Sequence, residues 1–161
     1  MRRRVAFTLA ASCCRRGSTM AGPLRVYVVE DSPILRALFG AAITQAGAQI
    51  VGWTAQSGKA IADLSALRPD VVVIDISLAS GSGFDVLRAL RGFDWSASAV
   101  KVVLTNHACA EYERLSEELG ADRFFDKSVE MTAALRFIGA LANESLQRSG
   151  SELGAATVGL R

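Results

Sequence analysis

A few residues in this chain have the types and the spacing to do chemistry: the pair Glu30-Asp31, then Asp75, Thr105 and Lys127. Each stands at or just after the end of an apolar run, LRVYVV, VVVI, VKVVL and RFF respectively. A lone acid at the end of a strand is more often a cap or turn residue than a catalyst. Several such endings meeting on one sheet edge point to a site instead. Three carboxylates gathered in one place repel one another and resist ionising together unless a cation is present. The donor set is all oxygen, which suits Mg²⁺ or, in its place, Mn²⁺. Asp31 and Asp75 would be direct ligands, Glu30 a ligand through water, and the Ser77 backbone carbonyl a further protein ligand. The free oxygen of Asp75 is then a nucleophile for covalent phosphoryl transfer. Lys127, a mobile point charge, would neutralise the phosphoryl oxygens, and the Thr105 hydroxyl would donate to the new acyl phosphate. That last bond exists only after transfer, so it can bias the loop that carries it.

Bringing these residues together requires a particular chain path. Leu24 to Val29, Gln49 to Ala55, Val71 to Asp75, Val100 to Leu104 and Arg123 to Phe125 read as five strands rich in β-branched and apolar residues. Helices are predicted between them. Ser32-Pro33 opens the first as cap and first-turn proline, with Leu35, Leu38, Phe39 and Ala42 on its apolar face and Gly47 as its stop. Ser57 to Leu67 forms the second, ended by Arg68-Pro69-Asp70. Phe84, Leu87 and Leu90 mark the third, beyond the Ser80 to Gly83 loop. Tyr112, Leu115 and Leu119 mark the fourth, closed by Gly120. The fifth runs from about Val129 to Gln147. Strict alternation of strand and helix calls for a parallel sheet covered on both faces, an α/β doubly wound (βα)5 fold with flavodoxin-like strand order 2-1-3-4-5. In that order the first and third strands are neighbours, so Glu30 and Asp31 come to lie beside Asp75, and Thr105 and Lys127 end the fourth and fifth strands on the same edge.

Composition narrows the rest. The 161 residues carry a net charge of +2, but Arg2, Arg3, Arg4, Arg15 and Arg16 fall in a segment without any acid. Without those five arginines, 13 basic residues face 16 acids, and a body of net charge −3 offers no footprint for nucleic acid. Residues 1–22 are expected to be a disordered basic extension or to precede the true start at Met20, since MRRR and the short apolar stretch after it fit a signal peptide poorly. Residues 23–147 form the one domain, and 148–161 are expected to be a flexible tail. No apolar run reaches a membrane span. Cys13, Cys14 and Cys109 form neither a disulfide framework nor a zinc spacing, consistent with a cytoplasmic protein. His107 reads as an exposed loop residue, and Trp53 and Trp95 as structural or surface aromatics.

The motifs VVEDSP, VVVIDISL, VVLTN and FFDKS, each at its strand end, resemble the receiver domains of response regulators in two-component signalling, over residues 24 to about 147. LTNHA with ADRFFDKS is most similar to stand-alone, single-domain regulators of bacterial origin. The resemblance implies a phosphoprotein of a phosphorelay whose acidic pair is Glu30-Asp31, whose phosphoacceptor is Asp75 and whose switch hydroxyl and lysine are Thr105 and Lys127. It implies that Phe124 is the aromatic that turns inward on activation. It implies a histidine kinase or phosphotransfer protein as donor and a downstream protein, or a second copy, bound through about 108–147. Such a module is no enzyme beyond its own phosphorylation and dephosphorylation. Ser128, Ala79 and Asn106 depart from the family pattern, Ser128 standing where proline is usual. Two other classes compete. A receiver-fold adaptor independent of phosphorylation would not need the complete five-residue set. A flavodoxin-like electron carrier would need a Ser-, Thr- and Gly-rich phosphate cradle after the first strand, where Asp31-Ser32-Pro33 places negative charge.

Overall fold

A computed structural model describes residues 22–156. The basic segment, Cys13 and Cys14 lie outside them. Five strands, β1 (Arg25–Val29), β2 (Gln49–Thr54), β3 (Val71–Ile74), β4 (Val100–Thr105) and β5 (Arg123–Asp126), alternate with α1 (Pro33–Gln45), α2 (Ser57–Leu67), α3 (Gly83–Leu90), α4 (Ala110–Glu118) and α5 (Lys127–Ala156). All strand pairs are parallel and the order is β2-β1-β3-β4-β5, the flavodoxin-like topology expected.

The central strand shows why the run VVVI is apolar throughout. Successive side chains point to opposite faces of the sheet, and both faces are covered. Val71 and Val73 enter a cluster with Phe39 and Ile43 of α1 and Ala134 and Ile138 of α5. Val72 and Ile74 enter a second cluster with Leu64 of α2, Leu87 and Leu90 of α3 and Leu119 after α4. Each of these strand residues is at most 2% exposed, and full burial of such a side chain contributes about 1.5–3 kcal/mol. A charge at Val72 would therefore break the sheet.

Local signals set the helix ends. The Ser32 hydroxyl accepts from the Leu35 N–H, with Pro33 in the first turn of α1. Ser82 and Asp85 form a reciprocal capping box on α3. The last helix departs from expectation at both ends. It begins at Lys127, directly after β5, and continues to Ala156, through residues expected to form a tail. At its start Asp126 accepts from both the N–H (2.8 Å) and the hydroxyl (2.5 Å) of Ser128, while the Asp126 N–H donates to Glu130 (2.9 Å). Proline at 128 could not donate that N–H. At its end the helix needs only its own backbone bonds to propagate once nucleated, so apolar periodicity underestimates its length. The described peptide bonds are all trans.

Candidate functional site

The site sits where the strand order reverses, at the carboxyl ends of β1 and β3, the position at which open α/β sheets bind ligands. Glu30 and Asp31 follow β1 immediately, and Asp75 follows β3. Oxygen atoms from Glu30, Asp31 and Asp75 lie within 4.8 Å of one another. Glu30 and Asp75 are buried and Asp31 is exposed, so the group is open to solvent on the Asp31 side.

Lys127 joins the two buried acids. Its Nζ donates to Asp75 Oδ2 at 2.5 Å and to Glu30 Oε2 at 2.6 Å, and all three side chains are nearly inaccessible. The first residue of α5 delivers this ammonium, across 97 and 52 positions of sequence. The remaining carboxylate oxygens are held by backbone. The Ser32 N–H donates to Glu30 Oε1 (3.0 Å) and the Ser77 N–H to Asp75 Oδ1 (3.1 Å). Burial pushes the Glu30 carboxyl above its ordinary range, while the bonds from Lys127 and Ser32 pull against that shift.

Thr105 and Phe124 occupy the neighbouring strand ends. Thr105 is fully buried at the end of β4, pairs with Asp126 in the sheet register, and accepts from the His107 N–H (3.3 Å). Phe124 lies opposite Val103 and is half-buried against the α2, α3 and α4 side of the core. His107 is exposed, as is Cys109. Trp53 carries the Arg36 guanidinium over its ring at 3.5 Å, and Trp95 stacks on Phe93.

Two features escape a sequence reading. The first is the direct bond between Glu30 and Lys127. Glu30 was expected to meet a metal only through water, and here one of its oxygens is taken by the ammonium. The second is Gly83. A Cβ there would lie 2.2 Å from the Asp75 carbonyl oxygen, so only glycine lets the start of α3 pass beneath Asp75. The run Ser80-Gly81-Ser82-Gly83 signals a loop, but not which glycine makes a close approach.

The donor chemistry fits a hard divalent cation: carboxylate oxygens on one side and an open, exposed acid on the other. Glu30, Asp31 and Asp75 are the residues that could hold it.

Residues 26–138 match the response regulator receiver domain. The chain belongs to that family. Over 138 residues it is 33% identical to protein-glutamate methylesterase/protein-glutamine glutaminase 5 of Myxococcus xanthus, a match that covers 84% of this chain and 36% of that protein. The chain thus spans well under half the length of the methylesterases it resembles. Among solved structures it superposes on Vibrio cholerae chemotaxis protein CheY4 with a TM-score of 0.66 at 21% identity, covering 73% of this chain and 97% of that one. The CheX–CheY–BeF3–Mg²⁺ complex from Borrelia burgdorferi gives 0.67 at 20% identity, covering 74% and 90%. The similarity to single-domain regulators in particular is not carried by these matches, because the chain is longer than the matched domain. Among the described residues no helix is long and apolar enough to cross a membrane.

Proposed function

We propose that this chain is a phosphoryl-accepting response regulator with Asp75 as acceptor, acting in the cytoplasm and signalling through protein contacts. The observation that carries the reading is the buried Lys127 ammonium shared between Asp75 and Glu30, next to the exposed carboxylate of Asp31. Such a pair is expensive to bury and is weak evidence for stability, which favours a chemical role. The Borrelia CheY complex contains Mg²⁺ and BeF3, and that supports assigning Mg²⁺ to Glu30, Asp31, Asp75 and the Ser77 carbonyl here. When bound, Mg²⁺ would supply positive charge to the oxygens of the transferring group.

In the transfer, an Asp75 carboxylate oxygen attacks the phosphorus of a phosphohistidine. The P–N bond breaks, its electron pair goes to the imidazole nitrogen, which takes up a proton, and an acyl phosphate remains on Asp75. Lys127 moves from Asp75 Oδ2 to a phosphoryl oxygen, and the Thr105 hydroxyl donates to another. The movement of Thr105 opens space for Phe124, and the face spanning about 108–147 changes shape for a downstream protein or a second copy. The donor, a histidine kinase or phosphotransfer protein, meets an apolar rim beside the pocket. Ile34 in the first turn of α1 and Val129 in the first turn of α5 are 78% and 79% exposed, and Leu38 lies one turn after Ile34. Exposed apolar residues grouped at a site mark a contact surface.

Incubation with Mg²⁺ and a small-molecule phosphodonor, followed by intact mass measurement, should add one phosphoryl group to the wild type and none to Asp75→Asn. A retained adduct in that variant would remove the assignment, and an unmodified wild type would favour the phosphorylation-independent adaptor. Ile34→Asp should slow transfer from a protein donor at least tenfold and leave modification by the small donor unchanged. Equal slowing with both donors would show that the rim has no docking role.

A further inference from the structure

Lys127 stands at a junction without slack. β5 ends at Asp126 and α5 begins at the next residue, so no loop separates strand from helix. The lysine is therefore the first residue of a helix, where N–H groups lack intrahelical acceptors and the chain tends to fray. Its neighbours in the first turn do not anchor it in the core: Ser128, Val129 and Glu130 are exposed, and Met131 is the first apolar side chain of α5 packed there. Yet its ammonium is held between Asp75 and Glu30 with the side chain 3% exposed.

A clasp of hydrogen bonds closes around this residue. The Asp126 carboxylate accepts from the N–H and the hydroxyl of Ser128, and the Asp126 N–H donates to Glu130 Oε2 (2.9 Å). Each of these bonds passes over Lys127, joining the residue before it to one that follows it. They lie on the exposed side of the helix start, while the ammonium they flank is buried. Asp126 is also the strand partner of Thr105, so a single residue ties the end of β4 to the start of α5. The four-carbon stem of a lysine is flexible, and the backbone it leaves from decides where its charge can reach.

We propose that Asp126, through Ser128 and Glu130, is the positioning residue for Lys127 during phosphoryl transfer, an inference that rests on the reading of Asp75 as acceptor. Before transfer the two carboxylates grip the ammonium and help to hold the helix start. During transfer Lys127 leaves Asp75 Oδ2 for a phosphoryl oxygen, so that anchor is given up while the charge must still arrive at one place. The clasp is untouched by this step and supplies the fixed point. An interaction needed more in the transition state than before it raises the maximal rate and leaves ground-state binding alone.

The maximal rate of phosphorylation by a small phosphodonor at saturating Mg²⁺, followed by intact mass on the full chain, tests the clasp. Asp126→Ala should lower it about tenfold, with Mg²⁺ affinity and the half-saturating donor concentration unchanged. Asp126→Asn keeps an oxygen that accepts from Ser128 and should restore most of the rate. Ser128→Ala removes only the hydroxyl bond and should fall between wild type and Asp126→Ala. Ile138→Val loosens the core further along α5 and should lower the unfolding midpoint without slowing transfer. A wild-type rate in Asp126→Ala, or equal slowing in Asp126→Asn or Ile138→Val, would overturn the proposal. Acylation of the Lys127 amine by a small anhydride, located by peptide mass without any phosphodonor, gives a second readout. It should be several-fold faster in Asp126→Ala than in the wild type or Asp126→Asn, and equal reactivity in all three would also overturn the proposal. If the wild type takes up no phosphoryl group the functional reading fails, and this reactivity alone decides whether the clasp holds the lysine.

Discussion

Two lysines in this protein meet carboxylates at the same 2.5 Å distance and do opposite things. Lys59 and Asp63 are one helical turn apart, with side chains 56% and 24% exposed. Lys127 and Asp75 are 52 residues apart, with side chains 3% and 6% exposed. The first pair is a helix-surface interaction worth about 0.3–0.5 kcal/mol. Asp63 also accepts from the hydroxyl of buried Tyr27 at 2.6 Å, which gives that phenol a partner. The second pair has given up its water, and a further carboxylate, Glu30, crowds the same ammonium. Distance alone therefore says little about a pair. Burial and chain separation show which one the fold was arranged to create.

The largest expected consequence of that difference follows from removing the buried cation. Lys127→Ala leaves Glu30 and Asp75 facing each other without a counter-charge, and should cost on the order of 3 kcal/mol in denaturant unfolding without metal. Added Mg²⁺ should return much of this, because a divalent ion replaces the lost charge. Loss of Mg²⁺ binding in this variant would mean that the lysine organises the metal ligands rather than competing with them.

The comparison sharpens at Asp31, which shares the acidic group and yet is exposed. Asp31→Asn should change stability by less than about 0.5 kcal/mol and weaken Mg²⁺ affinity tenfold or more, read by calorimetric titration. A stability loss near that of Lys127→Ala would show that Asp31 belongs to the structural pair instead.

The smallest effect is expected at the surface pair. The Lys59 hydrogen bond, followed by that of Tyr27, holds the Asp63 carboxyl below its ordinary 3.8. A carboxyl depressed in the folded state contributes stability above its unfolded value and loses it as pH falls through the folded value. The loss thus belongs to the acid range below about pH 4. Asp63→Asn should flatten the stability profile there and leave the region from pH 5 to 8 parallel to the wild type, as followed by unfolding at a series of pH values.

The sequence by itself determined the elements and their order. Four-residue to six-residue apolar runs with acid or hydroxyl at their ends, and a Ser-Pro helix start, are local signals, and local physics reads them correctly at β3 and α1. Alternation calls for a doubly wound parallel sheet, and the flavodoxin-like order for five strands brings Glu30, Asp31 and Asp75 together. Three further things were not legible in the sequence, and tertiary structure decided the first two. Lys127 is the first residue of α5 rather than a loop residue, which aims its ammonium between Asp75 and Glu30. Gly83 passes beneath the Asp75 carbonyl at a distance no side chain permits. The last helix continues to Ala156, beyond the end of its apolar pattern. The reason is common to the first two: contacts between residues tens of positions apart leave no trace in local periodicity, because the spacing that creates them is set by the sheet and not by the chain. The third is a matter of backbone cooperativity, which extends a helix wherever its own hydrogen bonds suffice and no side-chain pattern is required.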